Sequence, residues 1–92
     1  MADPAARVRV VISGRVQGVF FRDSCRREAA GRGVAGEVRN LPDGTVQAVF
    51  EGPSDAVEAM VGWARRGPSG AVVDDVRVTE ETPEGVRGFT VH

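Results

Sequence analysis

Apolar and polar residues alternate along much of the chain, and in two stretches the alternation gives way to helical spacing. In Arg7 to Ser13, Val8, Val10 and Ile12 share one side while Arg7, Arg9 and Ser13 share the other. That period of two predicts a strand with one buried face, although Val11 breaks the strict pattern. Phe21, Cys25 and Ala29 recur at helical spacing, which predicts a helix from Phe21 to about Arg32, ended by Gly31 and Gly33. Val34 to Asn40 reads as a second strand. Pro42-Asp43-Gly44 is a turn signal, and Thr45 to Glu51 is a third strand with Val46, Ala48 and Phe50 on one face. Gly52-Pro53 breaks it, and Ser54 is expected to cap a helix with Asp55 in its first turn. Val57, Met60, Val61 and Ala64 give that helix a core-facing stripe, and Gly67-Pro68 stops it. Val72 to Glu80 is a fourth strand with Val76 and Val78 inward. Val86 to Val91, after the turn "EETPEG", is a short last strand.

This order predicts an α+β domain: a ferredoxin-like, split βαβ antiparallel sheet with two helices on one face, βαββαβ plus a short C-terminal strand. Residues 1–6 are expected to form a flexible tail and residues 7–92 the domain. A chain of 92 residues accommodates one domain. There is no internal repeat and no low-complexity segment.

Composition removes several functions. The net charge is -1, so no global field draws the protein to nucleic acid or an anionic membrane. All 12 basic residues are arginine. Without lysine there is no P-loop signature and no Schiff-base chemistry. One cysteine, Cys25, forbids an internal disulfide and fits a reducing compartment. The first ten residues lack the apolar run of a signal peptide, and no stretch is long enough to span a membrane. The expected location is therefore the cytoplasm, with no membrane or nucleic-acid partner. The sole histidine, His92, is the last residue and is an unpromising member of a metal cluster or a Ser/His/Asp triad.

The chemistry centres on Gly14 to Phe20, "GRVQGVF", between the first strand and the first helix. Two glycines permit a tight path on which successive N–H groups converge. The helix that follows adds unpaired N–H groups and a positive dipole end, and Arg22 stands at its start. A guanidinium grips two phosphate oxygens with fixed geometry. On pattern alone, the loop is better explained as an ordinary strand-to-helix connection, Arg22 as a solvated charge and Asn40 as a residue before a turn.

The run "GRVQGVFFR" resembles the signature G-x-V-Q-G-V-x-(F/Y)-R of the acylphosphatase family, matched by Gly14, Val16, Gln17, Gly18, Val19, Phe21 and Arg22. Gly36, Val38, Asn40 and Gly44 are similar to its second motif, G-x-V-x-N followed by a turn and a glycine. "EGP" at Glu51 to Pro53, Met60, Trp63 and "GPSGAVVDDVRV" continue the likeness, which spans residues 7 to 91. The resemblance implies hydrolysis of carboxyl-phosphate anhydrides to a carboxylate and inorganic phosphate, without metal or other cofactor. It implies that Arg15, Val16, Gln17, Gly18, Val19, Phe20 and Phe21 cradle the phosphoryl group through backbone N–H groups. It makes Arg22 the phosphate ligand and Asn40 the residue that orients the attacking water. The substrate would be a small acyl phosphate and the protein a monomer. Gln17 is expected to brace the loop with its amide. Three positions depart from the family habit: Glu37 where an aromatic is frequent, Leu41 where threonine is, and His92 where many relatives end in tyrosine.

Rival readings are weaker. Cys25 is followed by a helical run rather than a phosphate loop, so it reads as core, and Asp74-Asp75 reads as solvated charge on opposite faces of a strand. An RNA-recognition domain shares the element order but displays aromatics on its central strands, where this chain has only Phe50, facing the core. A domain of a larger carbamoyl-transfer or maturation system is expected to be fused to further domains, and a non-catalytic sensor that binds acyl phosphate or phosphate in the same cradle would differ from an enzyme in turnover.

Overall fold

The computed structural model describes residues 5–92. Strand β1 (Ala5–Arg15) buries Val8, Val10 and Ile12, as alternation requires. It begins at Ala5, because Ala5 and Ala6 pair with Pro53 and Gly52. Those two residues of the expected tail therefore belong to the sheet, and the rest of that tail lies outside the described residues. Helix α1 (Phe21–Arg32) buries Phe21, Cys25 and Ala29. Gly31 lies inside it, and the left-handed Gly33 alone ends it, with Val34 N–H reaching Ala29 O at 2.9 Å.

Strands β2 (Ala35–Asn40) and β3 (Val46–Pro53) form the expected hairpin. Its turn is fixed by Leu41 N–H to Thr45 O at 2.9 Å and by Asp43 Oδ1, which accepts from the main chain and hydroxyl of Thr45. Helix α2 (Ser54–Arg66) buries Val57, Met60, Trp63 and Ala64. Ser54 does not cap it: Pro53 occupies the cap position without a side-chain bond, and in the first turn Asp55 Oδ1 accepts from Ala56 N–H at 2.9 Å. Strand β4 (Val72–Glu81) and strand β5 (Phe89–Val91) complete the sheet, in the order β4-β1-β3-β2-β5.

Both helices lie on the face that carries Val10, Ile12, Val38, Val46, Ala48 and Phe50, and one core joins them. The fold is thus the ferredoxin-like α+β arrangement, with one departure. β5 runs parallel to β2, so the five-stranded sheet is mixed rather than wholly antiparallel. Val78 also departs from expectation. It sits on the edge strand and is 39% exposed, while Val76 is buried. A bulge at Ser13/Gly14 leaves Asp74 as the unpaired residue of β4, so Asp74 and Asp75 do not alternate cleanly and both are exposed.

From β4 at one edge, the chain crosses the helix-free face to β5 at the other. Glu51 on β3 holds that crossing: Oε1 accepts from Glu84 N–H at 3.0 Å and Oε2 from Gly85 N–H at 2.8 Å. Glu51 is itself buried against Arg7, whose Nη1 donates at 3.0 Å, and Arg7 Nε donates to Glu81 at 2.9 Å. The arrangement satisfies two buried charges at once. It also fixes where β5 ends, with Phe89 stacked on Phe50 at 6.2 Å.

Candidate active site

The loop between β1 and α1 is pinned at both ends by buried side chains, Val16 and Phe21, with Phe21 against Trp63 at a ring separation of 5.2 Å. Gln17 reaches away from the loop. Its Nε2 donates to Leu41 O at 2.8 Å and Thr45 O at 2.9 Å, which braces the loop against the hairpin, as its amide chemistry suggested. Gly18 has φ +73° and Phe20 φ +59°, the only positive φ of a non-glycine residue among those described. Phe20 is the cap residue of α1, and no side chain caps that helix. The N–H groups of its first turn are therefore left for a ligand.

The loop closes one side of a cleft of about 430 Å³ lined by Val16, Gly18, Phe20, Phe21, Arg22, Asp23, Asn40, Val91 and His92. Arg22 and Asn40, distant in sequence, share this cleft. Of the loop residues in the expected cradle, Val16, Gly18, Phe20 and Phe21 line it. Arg15 is exposed, Gln17 turns to the hairpin and Val19 packs on the core.

Charge in the cleft is asymmetric. Asp23 is neutralised locally by Arg26 at 3.2 Å and Arg27 at 2.8 Å, and these arginines hold its carboxyl below the usual value. Arg22 pairs with no Asp or Glu side chain among the described residues. Its Nη1 donates to the main-chain oxygen of His92 at 2.6 Å. That contact leaves Nη2 and Nε for a ligand.

His92 is the residue that the sequence did not recommend. The parallel pairing of β5 with β2, and the bond from His92 N–H to Val38 O at 3.0 Å, bring it into the cleft wall. No local pattern announces a contact of that range. Its Nε2 lies 3.5 Å from Glu37 Oε2, and Glu37 pairs with Arg39 at 2.7 Å. Glu37 itself lies outside the cleft lining. The Arg39 hydrogen bond keeps its carboxyl below the usual value. Leu41 contributes its carbonyl, as the acceptor for Gln17.

Cys25 is fully buried in the core, and burial pushes its thiol up to about 12, so it carries no nucleophile. Among the described residues no group of three or more His, Cys, Asp or Glu is placed to hold a metal ion. No helix of the described chain is long and apolar enough to cross a membrane.

The structure is a small ferredoxin-like α+β domain with an arginine-bearing cleft at its first strand-to-helix loop. Comparison with known proteins narrows that class. The acylphosphatase family model matches residues 8–91. An acylphosphatase of Gloeobacter violaceus is 54% identical over 87 residues, covering 95% of this chain and 94% of that one. One from Rubrobacter xylanophilus is 59% identical over 86 residues, covering 92% and 78%. The structure of an acylphosphatase from Coxiella burnetii matches with a TM-score of 0.92 at 36% identity, over 96% of this chain and 93% of that one. The chain belongs to the acylphosphatase family, hydrolases of acyl phosphates.

Proposed function

We propose that this cleft hydrolyses small acyl phosphates by direct attack of water on phosphorus. The observation that carries the reading is the convergence, in one cleft, of a helix start without a side-chain cap, an arginine that pairs with no Asp or Glu side chain among the described residues, and Asn40. The phosphoryl oxygens sit against the N–H groups of residues 15–21, and Arg22 grips them from the side. Asn40 holds the water through its amide, in line with the leaving carboxylate.

The water oxygen–phosphorus bond forms as the phosphorus–acyl oxygen bond breaks, and the electron pair leaves with the carboxylate. A carboxylate of low pKa needs no acid catalyst. The water's proton passes to a phosphate oxygen, because the remaining titratable groups of the cleft are engaged elsewhere. Asp23 is held by two arginines, and the His92 imidazole faces Glu37. Catalysis is then positioning and charge stabilisation, which is what phosphoryl transfer demands. No metal or cofactor enters this scheme. A monomer in the cytoplasm, with no nucleic-acid or membrane partner, fits the net charge of -1 and the single buried cysteine.

The test is release of inorganic phosphate from acetyl phosphate by chelator-treated protein across pH 5–9. Undiminished turnover without an acid limb from a protein base, competitively inhibited by inorganic phosphate, is the expected result. Activity that needs added metal would sink the scheme, and an acid-side fall in rate that disappears in His92→Ala would transfer the proton to that imidazole.

A further inference from the structure

The phosphoryl seat uses only part of the cleft. An acyl phosphate has a second end, and the remaining lining indicates what that end is. Phe20 is 81% exposed, the most exposed large apolar side chain among those described. It makes no aromatic pair among the described residues. Its backbone occupies the left-handed region at φ +59°, which non-glycine residues seldom adopt. If position 20 only had to turn the chain and offer an N–H group, glycine would do so without strain. The side chain therefore contributes something the backbone does not. It brings to the cleft an apolar ring that the described residues leave largely uncovered. Val91, 39% exposed, lines the same cleft from β5, next to His92.

Resting on the hydrolytic reading above, we infer that Phe20 and Val91 form a ledge for the acyl group. The ledge selects flat apolar, preferably aromatic, acyl phosphates over small ones. A phosphoryl group held at Arg22 projects its acyl part out of the cradle, where these two side chains are the apolar surface available. A benzoyl ring covers Phe20 and removes apolar area from water, whereas an acetyl group is too short to do either. Seated in this way, the ring also shields the scissile anhydride from bulk water on one side.

The experiment measures kcat/KM for benzoyl phosphate and for acetyl phosphate with the wild type, Phe20→Asn and Val91→Thr. Intrinsic reactivity differs between the substrates, but it cancels when their ratio is compared across proteins. Asparagine tolerates the left-handed backbone, so Phe20→Asn keeps the turn, and threonine keeps the shape of Val91. The benzoyl-to-acetyl ratio is expected to fall about fivefold in Phe20→Asn and by a smaller factor, about twofold, in Val91→Thr. Ratios that stay at the wild-type value while both substrates turn over would overturn the ledge and leave the hydrolytic reading intact. A wild type that hydrolyses neither substrate would overturn the hydrolytic reading, and the ledge with it.

Discussion

Gln17 Nε2 donates to the main-chain oxygen of Thr45 at 2.9 Å, and through that bond the loop after β1 is tied to the hairpin whose first strand ends in Asn40. A second bond from the same nitrogen, to Leu41 O at 2.8 Å, closes the brace. The two halves of the proposed reaction, the phosphate seat and the water holder, come from different elements. Their separation is set by this amide.

Replacing Gln17 with alanine removes both bonds, while Leu41 O keeps Gly44 N–H and Thr45 O keeps Leu41 N–H as donors. The expected loss of stability is about 1–3 kcal/mol, read by urea unfolding. The expected loss of kcat is larger than that implies, about 10- to 100-fold, because small misplacements of reacting groups are costly. Retention of full kcat in a variant destabilised by that amount would show that the brace does not position the chemistry.

Gly36 is required by its neighbour. At φ +140° a Cβ would collide with the main-chain oxygen of Val49 on the paired strand. Gly14 is similar, with Asp74 N 2.8 Å from where a Cβ would stand. Gly36→Ala is expected to cost at least about 3 kcal/mol, from backbone strain and the displaced ladder together. A urea midpoint close to that of the wild type would contradict this.

Acid should loosen the β4–β5 crossing. The Glu51 carboxyl lies below its ordinary value of 4.5, chiefly because Glu84 N–H bonds it, with Arg7 and Gly85 N–H adding to the effect against burial. A depressed folded-state value means that its stabilisation is complete above about pH 4.5 and is lost as pH falls through the lower folded value. Unfolding free energy should therefore decline in that acid window, and less so in Glu51→Gln. Arg7→Met, which strands Glu51 without its cation, is expected to lose about 3–5 kcal/mol at neutral pH. An unchanged acid limb in Glu51→Gln would assign the decline to other carboxylates.

Cys25 offers a contrast with enzymes that use thiolate chemistry. Buried and held up to about 12, it is protonated at neutral pH. Thiol reagents should modify it only as fast as the protein opens, and Cys25→Ala should hydrolyse acyl phosphate at the wild-type rate. Rapid labelling of the native protein with parallel inactivation would contradict that assignment.

The element order and the core stripes were legible in the sequence because they rest on local periodicity: Val8, Val10 and Ile12 on a strand, Val57, Met60 and Ala64 on a helix. The turn at Asp43-Gly44 was legible for the same reason. What escaped depends on contacts between distant segments. Nothing near Ser13 announces the bulge at Asp74, which arises where β1 and β4 pair. Val78 follows the buried alternation, yet the edge position of β4 leaves it 39% exposed. His92 enters the cleft only because β5 crosses to the far edge and pairs in parallel with β2, a crossing held by Glu51. In the loop, residue types and family likeness pointed to Arg22 and Asn40, and the fold places both in one cleft. The exposed, left-handed Phe20 could not be foreseen, since no local pattern in the sequence marks a non-glycine residue for φ +59°.

The measurement that tests the central claim most directly is steady-state hydrolysis of benzoyl phosphate, with chelator present, by the wild type, Arg22→Ala and Asn40→Ala. The account predicts that Arg22→Ala loses about 10³-fold or more in kcat/KM, as removal of a phosphate-clamping arginine does. It predicts that Asn40→Ala loses about 10²- to 10³-fold in kcat with a nearly unchanged KM, because its water contact matters in the transition state rather than in binding. Folded variants that both stay within about tenfold of the wild type would contradict the site. A wild type that binds phosphate without turning over substrate would make the cleft a sensor rather than a catalyst.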